Sequence, residues 1–285
     1  MKIYNELIDY TLDIPEAPRR IVSLNSGFTE ALFAMGCGDR VVGVSSYCDR
    51  YVDIADRPVV GDYLNFDTEK LDALEPDLII VTGGIQRTLA TKLKAAAYPV
   101  YALPLSESFA GVCDAVVRLG ALTGDVTRGR DLAWNMMSES VAIRAAWTGP
   151  IPSVSVELWF GKHARTIGGR TFIHDTVEIA GGHPIFAADP GSYLALNRDA
   201  ISAARPDIVL GFHEPEFPVD FAAELGARRW SAEPGATDDG EVHLASLIVS
   251  DISRGRNIIH DGPSLLETAR WLQEEMRAVV EPIRS

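Results

Sequence analysis

Cysteine is scarce in this chain, cationic residues are outnumbered, and long apolar runs are missing. Only three cysteines occur, Cys37, Cys48 and Cys113. An odd number at these spacings matches neither a disulfide framework nor a zinc site, so buried thiols are expected. Lys and Arg total 26 against 40 Asp and Glu, a formal charge of −14. That balance argues against nucleic acid or an anionic membrane as a partner, because both reward clustered cations. A cationic patch on another protein suits it better. No run of roughly 18 apolar residues exists, so no direct membrane insertion is expected. The first twenty residues, MKIYNELIDYTLDIPEAPRR, lack the charged start, apolar middle and small-residue cleavage site of a secretory signal. Two readings follow: an extracytoplasmic protein whose export signal has been trimmed, or a cytoplasmic one whose native start is Met1. Catalytic signatures are missing too. There is no G-x-S-x-G elbow, no Walker A sequence and no H-E-x-x-H, and neither Gly83-Gly84 nor Gly181-Gly182-His183 is a G-x-G-x-x-G. An enzyme is not expected, and no residue is assigned a catalytic role.

What is present starts with size. At 285 residues and 47% apolar content, the chain can build one large or two medium domains with a packed core. Its organising stretch is residues 125–147, DVTRGRDLAWNMMSESVAIRAAW, which reads as one helix. Asp125 is placed to cap it, Leu132, Ala133, Met136, Met137, Val141 and Ala145 supply the apolar recurrence, and Gly149-Pro150 stops it. At about 1.5 Å per residue it spans roughly 34 Å.

Two similar stretches flank this helix. GDYLNFDTEKLDALEPDLIIVTG, residues 61–83, aligns without a gap with GSYLALNRDAISAARPDIVLGF, residues 191–212, at an offset of 130. Gly61, Tyr63, Leu64, Glu69, Ala73 and Pro76-Asp77 match Gly191, Tyr193, Leu194, Asp199, Ala203 and Pro206-Asp207. A two-fold repeat is not a solenoid, so two related lobes are expected. The Pro-Asp pair taken alone is common α/β grammar, ending one element and starting the next. The predicted boundaries are an N-terminal lobe over 1–124, the connecting helix over 125–149 and a C-terminal lobe over 150–285.

Along the first lobe the pattern reads as a hairpin over 2–14, strands at Ile21–Leu24, Val41–Val44, Leu78–Val81 and Val100–Leu103, and helices at Thr29–Met35, Glu69–Leu74, 86–97 and Ser108–Leu122. The second lobe reads as strands at Val154–Leu158, Ile208–Leu210 and Val242–Leu244, and helices at Phe172–Ala180, Phe221–Leu225 and Ser264–Val280, with a loop over 230–240. Strand and helix alternate, which marks an α/β fold with mainly parallel sheets.

Four tyrosines, Tyr47, Tyr51, Tyr63 and Tyr193, fall in predicted loops, where a large ring has no core to fill. Rings facing one another across a cleft would give flat apolar contact while their hydroxyls reach polar groups on a ligand. His213-Glu214 with Glu216 follows a strand and carries metal-ligand chemistry, although a solvent-facing loop is the simpler reading and no metal site is assigned. Glu69 and Asp199 stand six residues after the repeated tyrosines. Two readings remain for them: solvated carboxylates favoured by a helix start, or a docking pair for basic residues of a two-fold partner.

RRIVSLNSGFTEALFAMGCGDRVVGVSSYCDRY, residues 19–51, resembles the opening of the class III substrate-binding proteins of ABC importers, and GVSSY resembles their cobalamin-binding branch. The resemblance runs from about Tyr10 to the last helix. It implies two Rossmann-like lobes joined by one long backbone helix, and a ligand held between them. It implies a ligand-binding set of Tyr47, Tyr63, Gly83, Gly84, Arg165, Tyr193, His213 and Asp251, with tyrosine where the branch carries tryptophan at 63 and 193. Glu69 and Asp199 match the paired acids that dock on permease arginines, the second one methylene shorter. Val81 stands at a further tryptophan position of the branch. The ligand implied is a corrinoid or another metal chelate, with no resident cofactor; the partner is an importer permease, and the protein is expected to be a monomer. A ferric siderophore or haem receptor is the alternative within the family, with Arg50, Arg87 and Arg165 facing an anionic chelate. An intracellular cofactor-handling protein is the alternative outside it.

Overall fold

The computed structural model describes residues 1–228, 230–231 and 243–280. Most of the loop read over 230–240, and Val242 of the strand read there, lie outside the described residues. The chain divides into two compact units. The first comprises Met1–Ser106, Ala110–Ser138 and His260–Ser264; the second comprises Glu107–Phe109, Glu139–Ile259 and Leu265–Ser285.

The first unit opens with a hairpin, β1 (Lys2–Asn5) and β2 (Tyr10–Asp13), paired antiparallel. Its sheet contains β3 (Ile21–Ser23), β4 (Val41–Ser45), β5 (Val59–Gly61), β6 (Leu78–Thr82) and β7 (Val100–Leu103) in the order β5-β4-β3-β6-β7, all parallel. The helices are α1 (Ser26–Ala34), α2 (Thr68–Leu74), α3 (Arg87–Ala95) and α4 (Phe109–Leu122). Every residue of β6, LIIVT, is buried, as expected of a parallel strand covered on both faces. Buried Gln86 ties two strand ends together. Its Oε1 accepts from the Thr82 amide at 2.9 Å, and its Nε2 donates to the Leu24 carbonyl at 2.8 Å. The hairpin is fastened where Asn5 Nδ2 donates to Ala102 O at 2.8 Å.

The long helix α5 spans Val126–Ala145. It crosses α4 at a glycine pair: a Cβ on Gly120 would stand 2.9 Å from Asp125 O and 3.0 Å from Gly129 Cα, and one on Gly129 3.0 Å from Val116 O, so a side chain at either position would crowd backbone. The apolar stripe read from sequence is only partly the buried one. Gly129, Ala133, Met136, Ser140 and Ile143 are buried, whereas Met137, Val141 and Ala145 are exposed, as is Trp134. The buried positions keep a spacing of three and four, and a small residue can serve there where backbones approach. Asp125 precedes the helix, but its carboxylate is engaged by Arg40. That hydrogen bond holds its pKa below the usual carboxylate range.

The second unit holds β8 (Ser153–Phe160), β9 (His163–Ile167), α6 (Phe172–Ala180), β10 (His183–Pro184), β11 (Tyr193–Ala195), α7 (Arg198–Ala204), β12 (Ile208–His213), α8 (Phe221–Ala227), β13 (Trp230–Ser231), β14 (His243–Leu244), β15 (Ser246–Ser250) and α9 (Leu265–Val280). Its sheet runs β11-β9-β8-β12-β15, with β10 beside β8. β8, β12 and β15 are parallel, while β9 is antiparallel to β8 and β11 antiparallel to β9. The strands β9, β11 and β15 were not read from sequence. HARTI and YLA carry little apolar signal because they lie toward an edge. On α9, Gln273 Nε2 donates to Ile143 O at 2.7 Å and Ala180 O at 3.2 Å, satisfying carbonyls that the ends of α5 and α6 leave open.

The two repeated stretches build the same joint. Asp67 caps α2 through the Lys70 amide, and Asn197 caps α7 through the amides of Asp199 and Ala200. Leu71 and Ile201 are the fully buried residues of the two helices. Each helix ends in a left-handed residue, Glu75 at φ 41° and Arg205 at φ 47°. The aspartate that follows then secures a neighbouring strand. Asp77 accepts from the amides of Arg19 and Arg20 at 2.8 and 3.0 Å, just before β3. Asp207 accepts from Ser153 N and Oγ, both at 2.7 Å, at the start of β8. Pro-Asp is therefore more than shared grammar here; its carboxylate is a staple.

Candidate functional site

Loops at the carboxyl ends of parallel strands gather the polar and aromatic groups of the first unit, where open α/β sheets commonly hold ligands. Tyr47 follows β4, and Tyr63 lies in the turn after β5. Their rings stack with centroids 4.8 Å apart and planes 25° from parallel. Arg50 lies over the Tyr47 ring at 4.9 Å. The Tyr63 turn is held by Asp62, whose Oδ1 accepts from the amides of Leu64 and Asn65 at 2.6 and 2.7 Å. Burial opposes the Asp62 charge, but those amides outweigh it and its pKa is lowered.

Behind the rings sits a buried polar cluster. Ser26 Oγ is 3.4 Å from the Tyr63 hydroxyl and 3.5 Å from His260 Nδ1. His260 Nε2 lies 2.8 Å from Glu30 Oε2, and both side chains are almost fully buried. Burial pushes the pKa of the Tyr63 hydroxyl well up, with Ser26 pulling weakly the other way. The Asp261 carboxyl is also pushed up by burial. Tyr51 departs from expectation. It is a loop residue with only 4% exposure, and its ring lies flat on His260 at 3.5 Å. The loop does have a core to fill, one supplied by a segment some two hundred residues away in sequence.

The cysteines are free and buried. Cys48 Sγ packs 3.1 Å from Thr29 Oγ1 and 3.2 Å from Ser45 Oγ. Burial pushes the Cys113 thiol up to about 11.

The other predicted residues are less concentrated. Gly83 and Gly84 directly follow β6, the first against Leu7 and Leu103 and the second against Leu105. Val81 is fully buried within β6. Arg87 is exposed at the start of α3. In the second unit Tyr193 is on the outermost strand opposite Ile167, 39% exposed, and so is a strand residue, not a loop residue. Arg165 is exposed on β9 opposite Ala195. His213 ends β12, and Asp251 follows β15 on the neighbouring parallel strand. The His213 ring nitrogen Nδ1 is 3.0 Å from the Glu214 carbonyl, and Glu214 Oε2 accepts from Gly161 N at 2.8 Å. Asp251 Oδ1 accepts from the Ser253 amide at 2.7 Å. Glu69 and Asp199 are exposed in the first turns of α2 and α7.

Among the described residues no group of three or more His, Cys, Asp or Glu is placed to hold a metal, and no helix is long and apolar enough to cross a membrane. A separate recess of about 240 Å³ lies beside the hairpin, lined by Tyr4, Glu6, Tyr101 and Arg118 among others. Ser26, Glu30, His260 and Trp159 were not singled out from sequence. Glu30 carried the usable signal: a carboxylate inside SGFTEALFA, a helix buried on nearly every side, requires a partner. Trp159 stands beside His213 in register, with Arg198 5.8 Å from its ring.

Residues 21–226 match the sequence model of the family described as periplasmic binding protein. A cobalamin-binding protein of Halobacterium salinarum is 31% identical over 208 residues, which cover 70% of this chain and 55% of that protein. The chain thus spans about half the length of that relative. An uncharacterized ABC transporter substrate-binding lipoprotein of Bacillus subtilis, YvrC, is 26% identical over 204 residues, covering 69% of this chain and 64% of its own. Among solved structures, the periplasmic heme-binding protein RhuT of Roseiflexus sp. RS-1 in apo form has a TM-score of 0.69 at 24% identity. It covers 92% of this chain and 99% of that one. Likeness at that identity establishes a shared fold.

Proposed function

We propose that this chain, which belongs to the periplasmic binding protein family, captures a corrinoid and passes it to a membrane importer of the ABC class. It is a binding protein and not an enzyme. The observation that carries the corrinoid reading is the stacked Tyr47–Tyr63 pair at the carboxyl ends of β4 and β5. Two rings held against each other offer a rigid apolar surface at low entropic cost, which suits the broad flat macrocycle of a corrinoid. The name of the haloarchaeal relative supports the same ligand. In this reading the protein works as a monomer, and it works outside the cytoplasm, the location that the family description and the lipoprotein relative's name give for their own members. Tyr193, Arg165, His213 and Asp251 are proposed ligand residues of the second unit, and Gly83 and Gly84 of the first, where the Gly83 amide already donates to Leu103 O at 2.6 Å.

A haem or ferric siderophore ligand is the second reading. It is favoured by Arg50 over Tyr47, a cation next to an aromatic face that suits an anionic chelate. Passing the protein with cyanocobalamin through a desalting column distinguishes them. A pink protein fraction is expected. Calorimetry that registers haem or a ferric siderophore but no corrinoid sinks the first reading, and silence toward all three sinks both.

Glu69 and Asp199, exposed at equivalent helix starts, are proposed to dock on basic residues of a two-fold importer. Reversing both charges, Glu69→Lys with Asp199→Lys, should leave ligand affinity unchanged and suppress delivery. Loss of ligand binding in that variant removes the docking role.

A further inference from the structure

We propose that His260 is a positioning residue for the Tyr47–Tyr63 ring pair, acting through Ser26 and Tyr51; this rests on the pair being the ligand platform. His260 belongs to a five-residue segment, His260–Ser264, that is part of the first unit although the chain on either side of it belongs to the second. The segment is fitted closely. A Cβ on Gly262 would stand 2.4 Å from both Glu30 Oε2 and His260 Nε2, and one on Gly27 would stand 2.6 Å from Asp261 Oδ1. Any larger residue at either position would drive the two backbones apart.

Hydrogen-bond logic sets the orientation of the ring. Glu30 Oε2 accepts from Ser264 N at 3.2 Å and Ser264 Oγ at 3.0 Å, and lies 2.8 Å from His260 Nε2. A carboxylate only accepts, so Nε2 carries a proton and Nδ1 faces Ser26. With neutral imidazole, Nδ1 accepts the Ser26 O–H, and Ser26 Oγ is left to accept the Tyr63 O–H. A proton taken from solvent onto Nδ1 reverses both bonds. Nδ1–H then donates to Ser26 Oγ, the Ser26 hydroxyl rotates to donate to Tyr63, and the Tyr63 proton turns away. No covalent bond to carbon changes and no proton passes along the chain; the hydroxyls rotate. The Tyr63 hydroxyl is therefore a donor to Ser26 in one state and an acceptor from it in the other, and Tyr47 is stacked on that ring. The stack of Tyr51 on His260 keeps the imidazole in plane. The charged and titratable groups facing this cluster are Glu30 on α1, Tyr51, Tyr63 and Asp261, with Cys48 beside Tyr63.

The test uses the full chain with isotope-labelled tyrosine and histidine, read by NMR without ligand, then cyanocobalamin affinity by calorimetry from pH 5 to 8. In the wild type the Tyr63 and His260 ring signals are expected to change together as pH is varied. In Ser26→Ala the Tyr63 signal should no longer follow that of His260, and Ser26→Thr, which restores the hydroxyl, should restore the response. Affinity should change by about threefold to tenfold over the pH interval in which the two ring signals change together, the range for one hydrogen bond, and this step should vanish in Ser26→Ala and in His260→Gln. A Tyr63 signal indifferent to His260 in the wild type, or a pH step that persists in Ser26→Ala, overturns the proposal. A wild type that shows the ring coupling but binds no cyanocobalamin supports the positioning role and counts only against the corrinoid reading.

Discussion

Residues 61–83 and 191–212 build one joint twice, yet they set their tyrosines in different surroundings. Cap, buried aliphatic, left-handed exit and aspartate staple all recur. Tyr63, however, sits in a turn beyond β5, with its hydroxyl at Ser26 and its ring against Tyr47. Tyr193 lies on β11, an edge strand paired antiparallel to β9. The difference comes from what the sheet offers next to the repeat. In the first unit β4 and β5 run parallel and end together, whereas in the second the hairpin β8–β9 reverses the chain and extends the sheet under residue 193. Framework is local and repeats; a site depends on neighbours and need not.

The largest test of that equivalence is in the helix cores. Leu71→Ala and Ile201→Ala should each cost about 2–5 kcal/mol in denaturant unfolding, because both side chains are fully buried. A large cost at one position and almost none at the other would show that the two joints are not the same structure. Ligand affinity should separate what stability joins. Tyr63→Ala is expected to weaken cyanocobalamin binding about tenfold or more, roughly 1.4 kcal/mol, and Tyr193→Ala by about threefold or less. Calorimetry giving the reverse order would place the aromatic platform on the wrong unit.

A smaller effect is expected at the staples. Asp77→Ala and Asp207→Ala each release two donors near the surface and should cost about 1–2 kcal/mol apiece, measured by urea unfolding. If both are silent, the Pro-Asp repeat is grammar after all. The smallest effect is alkaline. Two acids of the first unit have raised pKa values: Cys113, pushed by burial to about 11, and Tyr98, pushed by burial and its Asp72 hydrogen bond to about 12. A raised folded-state pKa contributes stability that is complete below the ordinary value and lost as pH climbs through the shifted one. The first unit should therefore loosen between about pH 9 and 12. Hydrogen exchange that leaves the first unit as protected at about pH 11 as at about pH 8 would contradict this.

Much of the framework was legible because it is written locally. Pro, Gly and capping residues bracket α6 at the predicted Phe172 and Ala180, and the apolar run of β6 emerges within one residue of its reading. The edge strands β9 and β11 were not legible, since HARTI and YLA make sense only once β8 is present to pair with them. The stripe on α5 was misread for a similar reason: Gly129 and Ser140 are buried by what packs against them, and hydrophobicity alone favoured Met137 and Val141. Their place in loops marks Tyr47 and Tyr63 as ring candidates, but nothing in their spacing shows that the two rings stack on each other or places Ser26 and His260 behind them.

By itself the sequence determined the α/β alternation, the doubled joint and the long helix, because propensity, capping and apolar period act over neighbouring residues. Tertiary structure alone decided that Glu30 meets His260 across 230 positions and that Tyr51 is a core residue. Buried polar groups must find partners wherever the fold brings them, and no local pattern records which distant segment will supply one.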